Sequence, residues 1–211
     1  MEIDGKKVTV IGLGESGLAA SRLLLGFGAT VSVSEAKTDA ALEAKARRLE
    51  RKGIAVELGR HTEHWIRGRD LVVTSPGIPA GSPPLQWAKK DGIPILSEIE
   101  LASFFCRGRI IAVTGSNGKS TTTSLLGMMF EKAKKRAWVC GNIGNAFSRV
   151  AAQVTSDDWV ILEVSSFQLE YCRTFRPHLA LILNVSPNHL DRHEGFEEYL
   201  LAKRRIARAQ T

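Results

Sequence analysis

The sequence predicts an α/β protein with parallel sheets, built as two successive strand–loop–helix units. Three observations carry this. Short β-rich runs alternate with helical patterns from the first residues onward. One glycine-rich turn, Gly12-Leu13-Gly14-Glu15-Ser16-Gly17, follows the first such run and opens a helix. A second, Thr114-Gly115-Ser116-Asn117-Gly118-Lys119-Ser120, does the same near the middle of the chain.

The elements follow in order. Lys7 to Ile11 reads as a strand that stops at Gly12, and residues 16 to 27 place Leu18, Leu23, Leu24, Leu25 and Phe27 at helical spacing before Gly28. Thr30 to Val33 is the next strand, and Asp39 to Lys52 is a helix ended by Gly53. Ile54 to Glu57, Asp70 to Val73 and Ile93 to Leu96 are further strands, with a short helix at Leu85 to Lys90. The pattern then restarts. Arg109 to Thr114 is a strand, Lys119 to Lys132 a helix, and Arg136 to Cys140, Trp159 to Val164 and Leu179 to Asn184 are strands. A final helix spans Phe196 to Ala209. The break between the parts falls at residues 97–108, which sets the domains at 1–97 and 98–211. The first is Rossmann-like, and the second is part of a P-loop ATPase-like α/β domain.

Composition removes several classes. At 44% hydrophobic and 24% charged, the chain can bury a core. Its longest apolar runs are strand-sized, far below the roughly 20 residues of a membrane span. The start Met1-Glu2-Ile3-Asp4 has no apolar signal core, so no secretion signal is expected. The 3 cysteines, Cys106, Cys140 and Cys172, form neither a zinc pattern nor a disulfide framework and suit a reducing cytoplasm. The net charge of +7 is scattered over helices without aromatic interleaving. It suits phosphorylated small molecules better than nucleic acid.

In the first turn, Gly12 makes the bend, Gly14 admits backbone to a phosphate, and Gly17 permits close helix packing. The helix N-terminus attracts the anion. Glu35, after the second strand, stands where an acidic residue can bind a ribose hydroxyl. By motif alone a dinucleotide cofactor is the default reading, and a tight turn without ligand is the alternative. Ser75-Pro76-Gly77-Ile78, stiffened by Pro76 and Pro79, is a second phosphate or sugar loop. The turn at Thr114 is the stronger signal. Backbone amides of Gly115, Ser116, Asn117 and Gly118 would cradle phosphate, Lys119 would reach the β and γ phosphates, and Ser120 can ligate magnesium, while the hydroxyl run Ser120, Thr121, Thr122 and Thr123 suits either metal ligation or ordinary capping. Its first position is Val113 where the generic pattern has glycine.

Glu163 ends an apolar strand, where either a magnesium-directed ligand or a structural carboxylate belongs. Asn184 closes the next strand and is followed by Ser186-Pro187-Asn188-His189-Leu190-Asp191-Arg192-His193, dense enough in polar groups to be a site. His189 there can be a metal ligand, an acid–base group or a hydrogen-bonding residue. His61, His64 and His178 stand in no constellation, and Lys203 in the last helix reads as solvated.

Taken together, Gly12 to Gly17, Ser75 to Ile78, Ser97-Glu98-Ile99-Glu100-Leu101, Thr114 to Thr121, Gly141-Asn142-Ile143-Gly144, Glu163 to Glu170 and Asn184 to Arg192 resemble the Mur ligase family of ATP-dependent amide-forming enzymes. The Ser-Ser-Phe-Gln-Leu-Glu run beginning at Ser165 is similar to its D-glutamate-adding members. The family's phosphate loop is Thr-Gly-x-Asn-Gly-Lys-Ser/Thr, so Val113 is no anomaly. The resemblance implies that the first domain binds the uridine diphosphate of a substrate, not NAD, through Gly14, Glu15, Ser16, Gly17, Glu35, Ser75, Pro76 and Gly77. It implies two magnesium ions beside ATP, one on Ser120 and Glu163, the other on His189 and a carbamylated Lys203. Asn142, Ser165 and His189 would contact substrate, and Lys119, Asn142, Glu163, His189 and Lys203 would be catalytic.

The implied reaction joins D-glutamate to UDP-N-acetylmuramoyl-L-alanine through an acyl phosphate in peptidoglycan precursor synthesis, by a cytoplasmic monomer without nucleic acid or membrane partners. The family's acidic residue and threonine after the second strand appear here as Glu35 and Ala36, with Thr38 displaced by two. The family's central domain runs past residue 211 and a C-terminal domain follows, so the chain is expected to be a truncated, catalytically incomplete part. The alternatives are another Mur-type ligase, a non-catalytic nucleotide-binding module and, from Gly12 to Gly17 with Glu35 alone, an NAD-dependent dehydrogenase.

Overall fold

The computed structural model describes every residue except His189, Leu190, Asp191, Glu194, Gln210 and Thr211. The chain divides into two compact units, Met1–Leu101 and Ala102–Thr211.

In the first unit, β1 (Lys7–Ile11), α1 (Glu15–Gly26), β2 (Thr30–Glu35), α2 (Ala40–Glu50), β3 (Ala55–Leu58), β4 (Leu71–Thr74), α3 (Pro83–Lys90) and β5 (Ile95–Ser97) follow one another, and α4 (Glu98–Ser103) begins at its end and runs into the second. The strands form a parallel sheet of order β3-β2-β1-β4-β5. The order reverses between β1 and β4, so the loops after these two strands diverge and leave a crevice at their carboxyl ends. A sheet covered on both faces needs apolar residues on both, and Val8, Val10, Ile11, Val33 and Val72 are all buried. Leu24 from α1 and Leu49 from α2 pack into the same core. Each such side chain contributes about 1.5–3 kcal/mol by leaving water.

The second unit runs β6 (Arg109–Thr114), α5 (Lys119–Lys132), β7 (Ala137–Gly141), α6 (Phe147–Val150), β8 (Trp159–Glu163), α7 (Ser166–Leu169), β9 (Leu179–Ile182) and α8 (Phe196–Arg204). Its sheet is parallel with order β7-β8-β6-β9. The central β6 and β8 are nearly continuous apolar runs and supply the core, with Phe147 of α6 and Val164 beside them. At one edge, β9 leaves Leu179 and Ile182 exposed.

The structure departs from the sequence reading where helices are too short for periodicity to register. The stretch read as a break holds α4, started by a capping signal. The Ser97 hydroxyl accepts the Glu100 N–H at 3.2 Å, with Glu98 and Glu100 in the first turn. Likewise α7 opens on a capping box between Ser165 and Gln168. The last helix ends at Arg204 and passes into a 3-10 turn, Arg205–Ala207, where the Arg205 guanidinium donates to the Glu170 carbonyl. β9 stops at Ile182, since the backbone beyond it turns toward the phosphate loop.

One buried carboxylate ties β7 to β8. Asp158 Oδ2 accepts the Thr155 N–H at 3.0 Å and the Trp138 indole N–H at 3.2 Å, and Arg136 lies 3.6 Å from Oδ1. The Thr155 amide first, then the indole and Arg136, hold the carboxyl below its usual range against the opposing effect of burial. Because the folded value is depressed, this stabilisation is complete above the unfolded pKa near 4 and is lost as pH falls through the folded value. Stability to urea, followed by tryptophan fluorescence, is expected to fall across this acid window, and Asp158→Asn is expected to remove that part of the pH dependence.

Candidate functional site

The first glycine turn is shaped by steric demand. Gly12 has φ 94°, and a Cβ on Gly17 would stand 1.9 Å from the Gly12 carbonyl oxygen and 3.0 Å from Ser75 Oγ. The α1 helix therefore starts directly over the end of β1. Gly14 is its N-cap, in extended conformation and without a side-chain cap, which leaves amides at the helix N-terminus for an anion. Ser16 is half-buried in the first turn of α1. Ser75, buried at the end of β4, receives the chain across the crevice through its N–H to the Ile11 carbonyl at 3.0 Å, and Pro76 and Gly77 follow it. Gly17 and Ser75 thus meet the Gly12 turn at the carboxyl ends of β1 and β4, with Gly14 and Ser16 next to the one and Pro76 and Gly77 next to the other in the chain.

Two acidic side chains at this turn have partners of their own. Glu15 pairs with Lys45 of α2 at 2.9 Å on the surface. Glu35 accepts the Leu13 N–H on Oε2 at 2.8 Å and the Lys37 N–H on Oε1 at 2.9 Å. Both oxygens of Glu35 thus strap the glycine turn to the loop after β2.

The second turn joins β6 to α5. Gly118, with φ 81°, is the left-handed N-cap of α5, a conformation glycine adopts without strain. Asn184, two residues past β9, clamps the loop: its carbonyl accepts the Ser116 N–H at 3.0 Å, its Oδ1 accepts the Asn117 N–H at 2.9 Å, and its Nδ2 donates to the Asn117 carbonyl at 3.0 Å. Ser116 Oγ is within 2.9 Å of the Ser186 carbonyl, the Ser186 N–H and the Tyr199 hydroxyl. Tyr199, fully buried in α8, fell outside the sequence reading because an aromatic on a helix carries no motif. Ser120 and Thr121 stand exposed at the start of α5.

Two lysines converge on one carbonyl of this loop. Lys119 Nζ donates to the Gly115 oxygen at 2.9 Å and the Ser116 oxygen at 3.0 Å, while Lys203 Nζ donates to the Gly115 oxygen at 2.8 Å. Lys203 is only 2% exposed, and its ammonium lies 4.6 Å from the Tyr199 ring centroid. Burial first, then the neighbouring Lys119 charge, lower its pKa to about 8. The reading of Lys203 as solvated, made from its neighbours in sequence, is corrected: α8 points it inward.

Glu163, at the carboxyl end of β8, is 1% exposed. Its Oε1 accepts the Asn142 amide at 2.8 Å, and its buried Oε2 has no hydrogen-bond partner among the described residues. Gly141 before Asn142 has φ 109°, and a Cβ there would lie 2.2 Å from the Glu163 carbonyl, so only glycine lets β7 close on β8 here. An anionic oxygen without a donor in a buried place suits a hard cation, and Ser120 hydroxyl is the same class of oxygen ligand. The unpartnered Glu163 oxygen therefore fits a magnesium ligand. Ser165 is engaged in capping α7, and His189 lies outside the described residues.

These features define a nucleotide-binding α/β protein with a glycine-rich phosphate turn in each unit, the second of P-loop type. Residues 6–97 match the Mur ligase MurD-like N-terminal domain, and residues 113–211 match the Mur ligase middle domain. The chain belongs to the Mur ligase family. It is 50% identical over 206 residues to the UDP-N-acetylmuramoylalanine–D-glutamate ligase of Koribacter versatilis, covering 98% of this chain and 46% of the relative. It is 49% identical over 211 residues to the same-named enzyme of Acidobacterium capsulatum, covering 100% of this chain and 46% of the relative. The chain thus spans about half the length of these curated relatives.

Among solved structures, UDP-N-acetylmuramate:L-alanyl-gamma-D-glutamyl-meso-diaminopimelate ligase from Neisseria meningitides aligns with TM-score 0.59 at 22% identity, over 97% of this chain and 68% of that one. UDP-N-acetylmuramate-alanine ligase from Thermotoga maritima aligns with TM-score 0.56 at 20% identity, over 97% and 47%. They establish the fold. No helix among the described residues is long and apolar enough to cross a membrane.

Proposed function

We propose that this chain is the substrate- and ATP-binding part of a ligase that adds D-glutamate to UDP-N-acetylmuramoyl-L-alanine in peptidoglycan precursor synthesis. The observation that carries the reading is the near-50% identity to two enzymes of that name along essentially the whole chain. In this reading the first unit holds the uridine diphosphate on the turn from Gly12 to Gly17 and on Ser75 to Gly77. The second unit holds ATP on the turn from Gly115 to Thr121. The complete enzyme works as a cytoplasmic monomer.

The reaction has two steps. The terminal carboxylate oxygen of the substrate attacks the γ-phosphorus of ATP, and ADP leaves with the bond electrons. The amine of D-glutamate then attacks the acyl carbon, inorganic phosphate leaves and the amine loses its proton. Lys119, released from its own loop, would follow the charge on the transferring phosphoryl oxygens. The amides at the start of α5 hold the phosphates in place, and Asn184 keeps the loop in shape for them. Asn142 fixes the Glu163 carboxylate and contacts substrate. Magnesium, when bound, supplies further charge neutralisation and in-line alignment. Ser120 and Glu163 would hold one ion, and His189 with Lys203 a second.

Lys203 can serve as an anionic ligand only after carbamylation. Its neutral Nζ attacks carbon dioxide, forms an N–C bond and releases a proton. Burial and the lowered pKa, about 8, both favour the neutral amine that this requires.

Calorimetric titration of the chain with UDP-N-acetylmuramoyl-L-alanine is expected to give one-site binding that UDP competes away. ATP with magnesium is expected to bind independently. In the same sample, ¹³C-labelled bicarbonate is expected to give a carbamate resonance that Lys203→Arg abolishes. Tighter binding of the nucleotide without L-alanine, or already carrying D-glutamate, would move the chain to another Mur-type ligase, and no binding of either by folded protein would overturn the reading.

A further inference from the structure

The loops after β2 and β3 carry a polar chain that the phosphate-binding groups do not use. Ser34 Oγ, buried at the end of β2, lies 2.8 Å from Glu57 Oε2 and 2.8 Å from His61 Nδ1. Glu57, only 8% exposed, also accepts the Thr62 N–H on Oε2 at 3.1 Å and the Thr62 hydroxyl on Oε1 at 2.6 Å. Arg60 stands 3.9 Å from the same Oε1.

Hydrogen-bond arithmetic then settles the histidine tautomer. A carboxylate only accepts, so Ser34 gives its single proton to Glu57. The Ser34 oxygen must accept from His61, which places the ring proton on Nδ1. Burial, the largest influence, holds the imidazole below its ordinary pKa despite the opposing charges of Glu35 and Glu57, which favours the neutral ring. Its Nε2 is therefore a lone-pair acceptor, and it has no hydrogen-bond partner among the described residues.

The position of this acceptor matters. The β3 loop is joined to the β2 loop by the Gly59 N–H donating to the Lys37 carbonyl at 3.3 Å. The β2 loop is joined to the glycine turn by Glu35, through Leu13 and Lys37. His61 thus belongs to one connected rim at the carboxyl ends of β1, β2 and β3. With the phosphates at the turn after β1, the nucleoside end of a diphosphate ligand extends along this rim toward β2 and β3. Glu35 and Glu57 spend their oxygens on backbone amides and hydroxyls of the rim, whereas His61 Nε2 does not.

We propose that His61 reads the nucleoside: its Nε2, fixed as an acceptor by the Ser34–Glu57 pair, takes a hydrogen bond from the base imide N–H or a ribose hydroxyl of the uridine diphosphate. The proposal rests on the reading of the first unit as the uridine-diphosphate site. His61→Asn tests it, because the asparagine amide can still donate to Ser34 while the Nε2 acceptor is gone.

The unfolding midpoint of His61→Asn is expected to match wild type, UDP affinity to fall about tenfold, and inorganic pyrophosphate affinity to stay unchanged. N3-methyl-UDP and 2′-deoxy-UDP separate the two donors. The analogue that lacks the true donor is expected to bind wild type about tenfold more weakly and to be indifferent to His61→Asn. Unchanged UDP affinity in His61→Asn, or an equal loss for pyrophosphate, overturns the proposal alone. Wild-type protein that binds no UDP overturns the reading of the first unit and this proposal with it.

Discussion

Lys119→Ala is expected to weaken ATP binding by roughly 10- to 100-fold, since a hydrogen bond to a charged group is worth about 1.5–3 kcal/mol. UDP binding is expected to be untouched, because Lys119 belongs to the second unit and the proposed uridine site to the first. The substitution has a second consequence at Lys203. Part of the depression of that lysine to about 8 comes from the Lys119 charge, so removing the charge lets the Lys203 pKa rise, with burial still holding it below the ordinary lysine value. At pH 8 the variant therefore carries less neutral Lys203 than wild type. Calorimetry with ATP and the pH dependence of the labelled carbamate signal measure the two effects. Unchanged ATP affinity would remove the turn from Thr114 to Ser120 from the ATP site.

Gly17→Ala and Gly14→Ala are expected to part company. A Cβ at Gly17 would sit 1.9 Å from the Gly12 carbonyl, a backbone atom fixed by the end of β1, so α1 must move off the sheet. The expected cost is about 3 kcal/mol of first-unit stability, at the high end for overpacking, and UDP binding falls with it. At Gly14 an added Cβ meets nothing within 4 Å and φ is −69°, so stability is expected to hold. Binding should still fall there, since the methyl group occupies the space through which backbone reaches a phosphate. Urea unfolding and a UDP titration on the pair test this. Equal stability of the two variants would show that the turn relaxes more than its geometry implies. Full UDP affinity in Gly14→Ala would place the phosphates elsewhere.

Much of the site was legible before any coordinates. Both glycine turns lie where the restart of the βα pattern put them, because Gly12, Gly17 and Gly118 answer local steric demands that the sequence states directly. Glu163 was legible for a similar reason: a carboxylate ending an apolar strand must face the carboxyl edge of the sheet. The short helices α4 and α7 were also written in the chain, as Ser97-x-x-Glu100 and Ser165-x-x-Gln168. Their signal is capping, not periodicity, and a helix of one turn has no period to read.

Alternation, the two glycine turns, strand-end polar residues and family membership are properties of short stretches, and the sequence by itself determined them. Lys203, Tyr199 and His61 are different. Each gains its character from groups distant in the chain: Lys203 from Gly115, Tyr199 from Ser116, and His61 from Ser34 and Glu57. Whether a helical lysine is solvated or buried depends on which face its helix turns inward. Which nitrogen of a histidine carries the proton depends on partners that another strand supplies. Only the tertiary structure decided these, because desolvation and hydrogen-bond direction arise when separate elements pack and exclude water, and no local pattern of residues encodes them.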